Sequence, residues 1–179
     1  DDLIPATFEG WFDALDAHPD VTFGWEGAFR YMLLEEYHPA LFARLPAYVA
    51  AGRWRPAGSA VDAGDVNVPD PESLVRQFLY GNGWFRQRLG VTSLDVFLPD
   101  CFGFGWALPT VAAHCGLTAF STQKLTWGSS VPSPFGVGRW RGVDGSELIA
   151  AIRPGSYTST IDDDLSKSPT WLAAVQEQE

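Results

Sequence analysis

Histidine, cysteine and methionine are scarce in this chain: three, two and one in 179 residues. Two cysteines, Cys101 and Cys115, are too few for a disulfide framework. Neither has a CxxC partner, so a free, reduced pair is expected. His18, His38 and His114 form no HxH or HExxH spacing, so no local metal motif is spelled out. Basic side chains are few as well, 12 against 22 acidic ones, and the formal charge is -10. With no Lys/Arg cluster, a phosphate backbone is repelled and nucleic acid is a poor partner. No apolar run reaches membrane-spanning length, so no membrane partner is expected. No secretion signal is visible, which leaves the compartment open between the cytoplasm and secretion. The chain begins Asp1-Asp2 rather than with Met, and reads as a mature terminus or a piece cut from something longer. Internal repeats and interdomain linkers are lacking too.

What is present suits one sizeable domain. Hydrophobic residues make up 46% and aromatics 14%, with eight Trp. Such an aromatic surplus suits a dense core or a carbohydrate site. Apolar spacing predicts a helix over residues 6–16 and a second built on Phe29, Met32, Leu33 and Tyr37, interrupted by Pro39. A third begins at Pro71, capped by Asp70, with Leu74, Val75, Phe78 and Leu79 as its buried face. Gly81 and Gly83 weaken its continuation. Short strands are expected at 21–25, 54–60, 94–98, 117–121 and 148–152, with a helix over 107–115 and another from Ser168-Pro169. Strands alternating with helices imply an α/β fold with mostly parallel pairing and helical crossovers. Residues 127–137 read as a long loop. Gly138 to Gly142 leads into a turn at Asp144-Gly145.

The most informative residue is Asp100. It ends the apolar run Val96-Phe97-Leu98-Pro99 and opens the glycine turn Cys101-Phe102-Gly103. A carboxylate at that junction sits at the mouth of an α/β sheet, where such folds keep their chemistry. Capping of the turn is its bland alternative. Lys124 closely follows the next strand. It is open to neutralising Asp100, to donating to a substrate oxygen, or to standing in solvent as a loop lysine. Asp62 and Asp65 occupy an acidic loop and are open to substrate contact or to shaping the loop. The segment 62–72 does not keep the register of a calcium loop. Arg76 is placed to pair with Asp65 or Glu72. Trp25, Trp106, Trp127 and Trp140 lie near strand ends or loops, as candidates for stacking on a sugar or, for Trp140 between two arginines, as a surface brace.

Five segments in order carry a family resemblance. They are Gly52-Arg53-Trp54, Pro69 through Gly81, Leu98 through Gly103 with Ala107-Leu108-Pro109, Thr122 through Trp127, and Gly142 through Ser146. Together they resemble the N-terminal catalytic domain of the glycoside hydrolase family 38 α-mannosidases. The likeness is strongest over 21–152, within a partial catalytic domain spanning 1–179.

The resemblance implies a portion of a seven-stranded (β/α) barrel and a retaining, zinc-dependent α-mannosidase. By that likeness Asp100 matches the aspartate that is both nucleophile and zinc ligand. Lys124 falls where the family places a basic residue near the nucleophile. Lys124, Trp127, Asp62 and Asp65 are the candidate substrate-binding residues. Ala60 and Asp62 depart from the family's usual loop. The family's early His-x-Asp zinc motif, its later His ligand and its acid/base aspartate have no match here. The 179 residues alone are therefore expected to be catalytically incomplete. Their exposed edges would be covered by the rest of the barrel or by other chains, a homo-oligomer among them. The implied partner is a mannose-containing oligosaccharide. A non-catalytic carbohydrate-binding module and a hydrolase of mannosylglycerate are the alternatives.

Overall fold

A computed structural model describes residues 3–126, 136–152 and 167–176. Two short sheets, one parallel and one mostly parallel, lie side by side with helices packed against them. Helix α1 (Leu3–Ala17) precedes strand β1 (Phe23–Glu26). Helices α2 (Ala28–Tyr37), α3 (Pro39–Phe42) and α4 (Leu45–Ala50) lead to β2 (Trp54–Ala57). The long α5 (Pro71–Leu89) is followed by β3 (Asp95–Phe97), α6 (Leu108–His114) and β4 (Ala119–Ser121). A hairpin of β5 (Val137–Arg141) and β6 (Glu147–Ala151) and helix α7 (Pro169–Gln176) complete the described elements.

Strands β1 and β2 pair in parallel. The second sheet runs β3-β4-β6-β5, parallel except for β5. Polar stitches join the sheets beyond the end of β2. The Ser59 amide donates to the Asp95 carbonyl at 2.9 Å. The Gly58 amide donates to both oxygens of the Asp95 carboxylate at 3.2 Å. Within each sheet the parallel strands send their C-terminal ends the same way, and the ends of β1 and β3, Glu26 and Phe97, border one cleft.

Two apolar clusters fill the interior. Phe8, Phe12, Tyr31, Trp54 and Phe85 form an aromatic core beneath β1 and β2. The buried Trp54 indole donates to the Tyr31 hydroxyl at 3.0 Å, so its polar edge is satisfied. Burial raises the Tyr31 pKa above its ordinary value, which keeps that hydroxyl a neutral partner. Val96, Leu98, Leu108, Phe120 and Leu148 form the second cluster beneath β3, β4 and β6.

Several local expectations need correction. The buried stripe of α2 is Ala28, Tyr31 and Leu34. Phe29 and Tyr37 of the expected stripe are exposed, while Met32 packs partly against the core. The orphan amides at the start of α2 explain the difference. Ala28 and Phe29 donate to the carbonyls of Ala60 and Val61, locking the helix onto the loop after β2.

Gly81 does not weaken α5, which runs unbroken to Leu89. A Cβ at Gly81 would lie 2.2 Å from the Ser59 carbonyl oxygen, so this is a point of backbone contact. The helix buries Phe78, Gly81, Phe85 and Leu89, while Leu79 is exposed. The turn near Asp144-Gly145 is present, and residues 137–141 before it form strand β5, antiparallel to β6. Trp140 meets Phe104 and Phe120 edge-on, so its ring braces the second core. The cap is as expected: Asp70 accepts from the Glu72 amide at 2.8 Å. Arg76 pairs with Glu72. Both cysteines are free. Among the described residues no helix is long and apolar enough to cross a membrane.

Candidate active site

Asp100 follows β3 at the C-terminal mouth of the sheets, and its side chain is 71% exposed. It lines an open cleft of about 490 Å³ with Gly24, Trp25, Glu26, Arg30, Phe97 and Pro99. Lys124 reaches the same point from beyond β4. Its Nζ lies 3.0 Å from Asp100 Oδ1, although the lysine side chain is only 2% exposed. The reading of Lys124 as a solvated loop lysine is therefore excluded. Its ammonium also lies 5.2 Å from the centre of the exposed Phe102 ring.

One buried hydroxyl sets this geometry. Thr122, fully buried, donates to the Leu98 carbonyl at 2.7 Å and accepts from the Lys124 amide at 3.2 Å. Leu98 and Lys124 each stand two residues from the groups that matter, one before Asp100 and one after Thr122. The Leu98 amide donates to the Ser121 carbonyl, and the Thr122 amide to the Ala151 carbonyl, each within about 3.1 Å. The ends of β3, β4 and β6 are thereby tied together just beneath the Asp100–Lys124 pair.

Asp62 and Asp65 divide between the readings left open by the sequence. Asp62 accepts from Arg30 at 2.7 Å and from the Ala63 amide at 3.0 Å. Its arginine partner lines the cleft, so Asp62 belongs to the rim. Asp65 accepts from the amides of Asn67 and Val68 at 2.7 and 2.9 Å, closing its loop. Those two amides hold its carboxyl below the usual range. The loop is joined to the Asp100 turn by the Cys101 thiol, which donates to the Gly64 carbonyl at 3.0 Å. Burial pushes that thiol pKa up, and the neighbouring carboxylates of Asp65, Asp100 and Glu26 add to it, so Cys101 is a structural neutral thiol.

Trp127 lies outside the described residues. Trp25 stacks on Phe8 at 5.3 Å between ring centres and also lines the cleft. Trp106 is exposed, and its indole nitrogen donates to the Arg141 carbonyl, tying it to the hairpin.

Glu26 and Arg30 are cleft residues that the sequence reading did not single out. Glu26 ends β1 and is followed directly by Gly27, so like Asp100 it is an acid where a strand gives way to a turn containing glycine. Burial raises the Glu26 pKa; Arg30 opposes the rise, and Asp62 and Asp100 add to it. Its Oε2 is shielded from solvent and has no hydrogen-bond partner among the described residues.

Among the described residues no group of three or more His, Cys, Asp or Glu side chains is placed to hold a metal ion. His114 is occupied by Asp144, at 3.1 Å on the hairpin turn. Asp100 offers carboxylate oxygen, a suitable single ligand, but one ligand does not make a zinc site.

The comparisons with known proteins bear on the family and the fold. The family model "Glycosyl hydrolases family 38 N-terminal domain" matches residues 4–179. The chain belongs to this family. It is 36% identical to Alpha-mannosidase G of Dictyostelium discoideum over 149 residues, 83% of this chain. It is 32% identical to human Alpha-mannosidase 2C1 over 148 residues, 81% of this chain. In both cases the match spans only 14% of the relative's length. The fold is similar to the crystal structure of an alpha-mannosidase from Enterococcus faecalis V583, with a TM-score of 0.81 and 18% identity. That likeness covers 98% of this chain and 21% of the other.

Proposed function

We propose that this family 38 chain carries the nucleophile of a retaining α-mannosidase acting on terminal α-D-mannosides of oligosaccharides or glycans. The observation that carries the reading is the exposed Asp100 carboxylate, held by a buried lysine at the common mouth of parallel strands. In the first step a carboxylate oxygen of Asp100 attacks the anomeric carbon. The glycosidic C–O bond breaks, and the departing oxygen takes a proton from a second carboxylic acid. In the second step water attacks the same carbon and releases Asp100, giving its proton to that second group. Retention by this route places the two carboxyl groups about 5 Å apart.

The acid/base residue is proposed to come from protein outside these 179 residues. The remaining strands of a seven-stranded barrel are proposed to come from there as well. The short match to the relatives supports this, as does β1, which pairs only with β2 among the described residues. Zinc is proposed on the same terms. The described residues contribute Asp100 and do not complete a site, so every step above belongs to the chain's own groups and the acid/base.

Lys124 is the positioning residue. Its ammonium fixes one Asp100 oxygen and leaves the other for attack. The test is Asp100→Asn in the complete encoded protein, assayed on an aryl α-D-mannoside. The amide cannot act as the nucleophile, so turnover should fall at least about a thousandfold, within the range that catalytic groups supply. Wild-type turnover by this variant would remove Asp100 from the role.

A further inference from the structure

Among the described residues, Glu26 is the one carboxylate lining the cleft that the steps above leave without a task. It lies between the cleft and a small void of about 10 Å³ bounded by residues such as Ser59, Ala60 and Leu98. Its Oε2 has no donor among the described residues. The charged neighbours do not supply one. Arg30 gives its guanidinium to Asp62, and Asp62 and Asp100 carry the same sign as Glu26. A buried acceptor without a partner destabilises a fold, and such atoms are rare enough to need a cause.

We propose that Glu26 is a substrate-binding residue that accepts a hydrogen bond from a hydroxyl of the sugar seated against Asp100. The proposal rests on the mannosidase reading and adds a contact to it. A carboxyl group turns readily about its last bond, so either oxygen can be presented to the cleft. A sugar hydroxyl arriving there meets an acceptor for which no donor among the described residues competes. Among the described residues the cleft and its rim set three carboxylates, Glu26, Asp62 and Asp100, against two cations, Arg30 and Lys124. That balance favours a neutral polyol over a sugar bearing phosphate or carboxylate.

The experiment uses the complete encoded protein, its Glu26→Gln and Glu26→Ala variants, an aryl α-D-mannoside and the monodeoxy analogues of that mannoside. Both variants should lose about 10- to 100-fold in kcat/KM on the parent, the effect of removing a hydrogen bond to a charged group. On the analogue lacking the contacted hydroxyl, wild type should already be weakened, and the substitution should add less than about threefold. Equal activity of wild type and variants on the parent overturns the proposal. So does the same loss on every deoxy analogue, the mark of a structural role. Calorimetric binding of methyl α-D-mannoside separates the two layers. Wild type that binds the sugar without hydrolysing an aryl mannoside removes the hydrolase reading, and Glu26 is then judged by the same ratios in affinity. Wild type that neither binds nor hydrolyses overturns both.

Discussion

Replacing Lys124 by methionine asks whether the nucleophile is aimed by its cation. The two side chains are similar in length, so the packing around the stem is largely retained. At the observed 3.0 Å, the attraction between unit charges is about 1.4 kcal/mol at the dielectric of water and about 5.5 kcal/mol at an effective value of 20. The exposed Asp100 end pulls the net value toward the lower figure. Burying the ammonium also costs energy, and exchanging a buried ion for an apolar group of like volume is often neutral or stabilising. Stability in urea should therefore change by no more than about 1 kcal/mol. Catalysis should respond differently, because an untethered carboxylate spends less time aligned with the anomeric carbon. A loss of about 1.4–2.8 kcal/mol in the barrier corresponds to a 10- to 100-fold drop in kcat. The assay is kcat and KM on an aryl α-D-mannoside in the complete protein. Wild-type kcat in a folded Lys124→Met protein refutes the positioning role.

Thr122→Val keeps the shape of a fully buried side chain but removes both hydrogen bonds that join Leu98 to Lys124. It should destabilise by about 1–3 kcal/mol in urea unfolding and lower kcat together with stability, through the misplaced Lys124. The Glu26 carboxyl is raised above its ordinary value chiefly by burial, so the folded state favours its protonated form. That contribution is complete below the ordinary glutamate value of 4.5 and is lost as pH rises through the raised folded value. Glu26→Gln should therefore match wild type in melting temperature near pH 4 and exceed it at pH 7. A Gln variant that is less stable than wild type at pH 7 would contradict the unpartnered acceptor.

What the sequence revealed was local. Asp100 and Lys124 were legible because each closely follows an apolar strand, and parallel strands deliver such positions to one face. Asp70 was legible because a cap and its amide partner are neighbours in the chain. The features that escaped depend on contacts between distant segments. Gly81 resembles a helix breaker until the Ser59 carbonyl is seen against it. The stripe of α2 is set by the Ala60 and Val61 carbonyls, more than thirty residues away. Strand β5 is polar on alternate positions, and the glycines at both ends of 138–142 masked a hairpin partner. Glu26 had a local signature similar to that of Asp100, yet the missing hydrogen-bond partner that distinguishes it is a property of the fold.

The contrast in burial across the Asp100–Lys124 pair bears on how the site works. A nucleophile must be reachable, so it cannot be fixed by close packing of its own. Here the cation is the packed member, its backbone tied through Thr122 to the ends of the strands, and the exposed carboxylate takes its position from it. Asp62 is handled similarly by Arg30, although that cation is more open than Lys124 and its carboxylate less open than Asp100. Among the described residues Glu26 has no such cation to itself, and a sequence selected only for stability would place an amide or an apolar side chain there. The opposed signs expected for Glu26→Gln, greater stability at neutral pH and weaker turnover, follow from that single difference. A residue kept for packing would lose stability and turnover together.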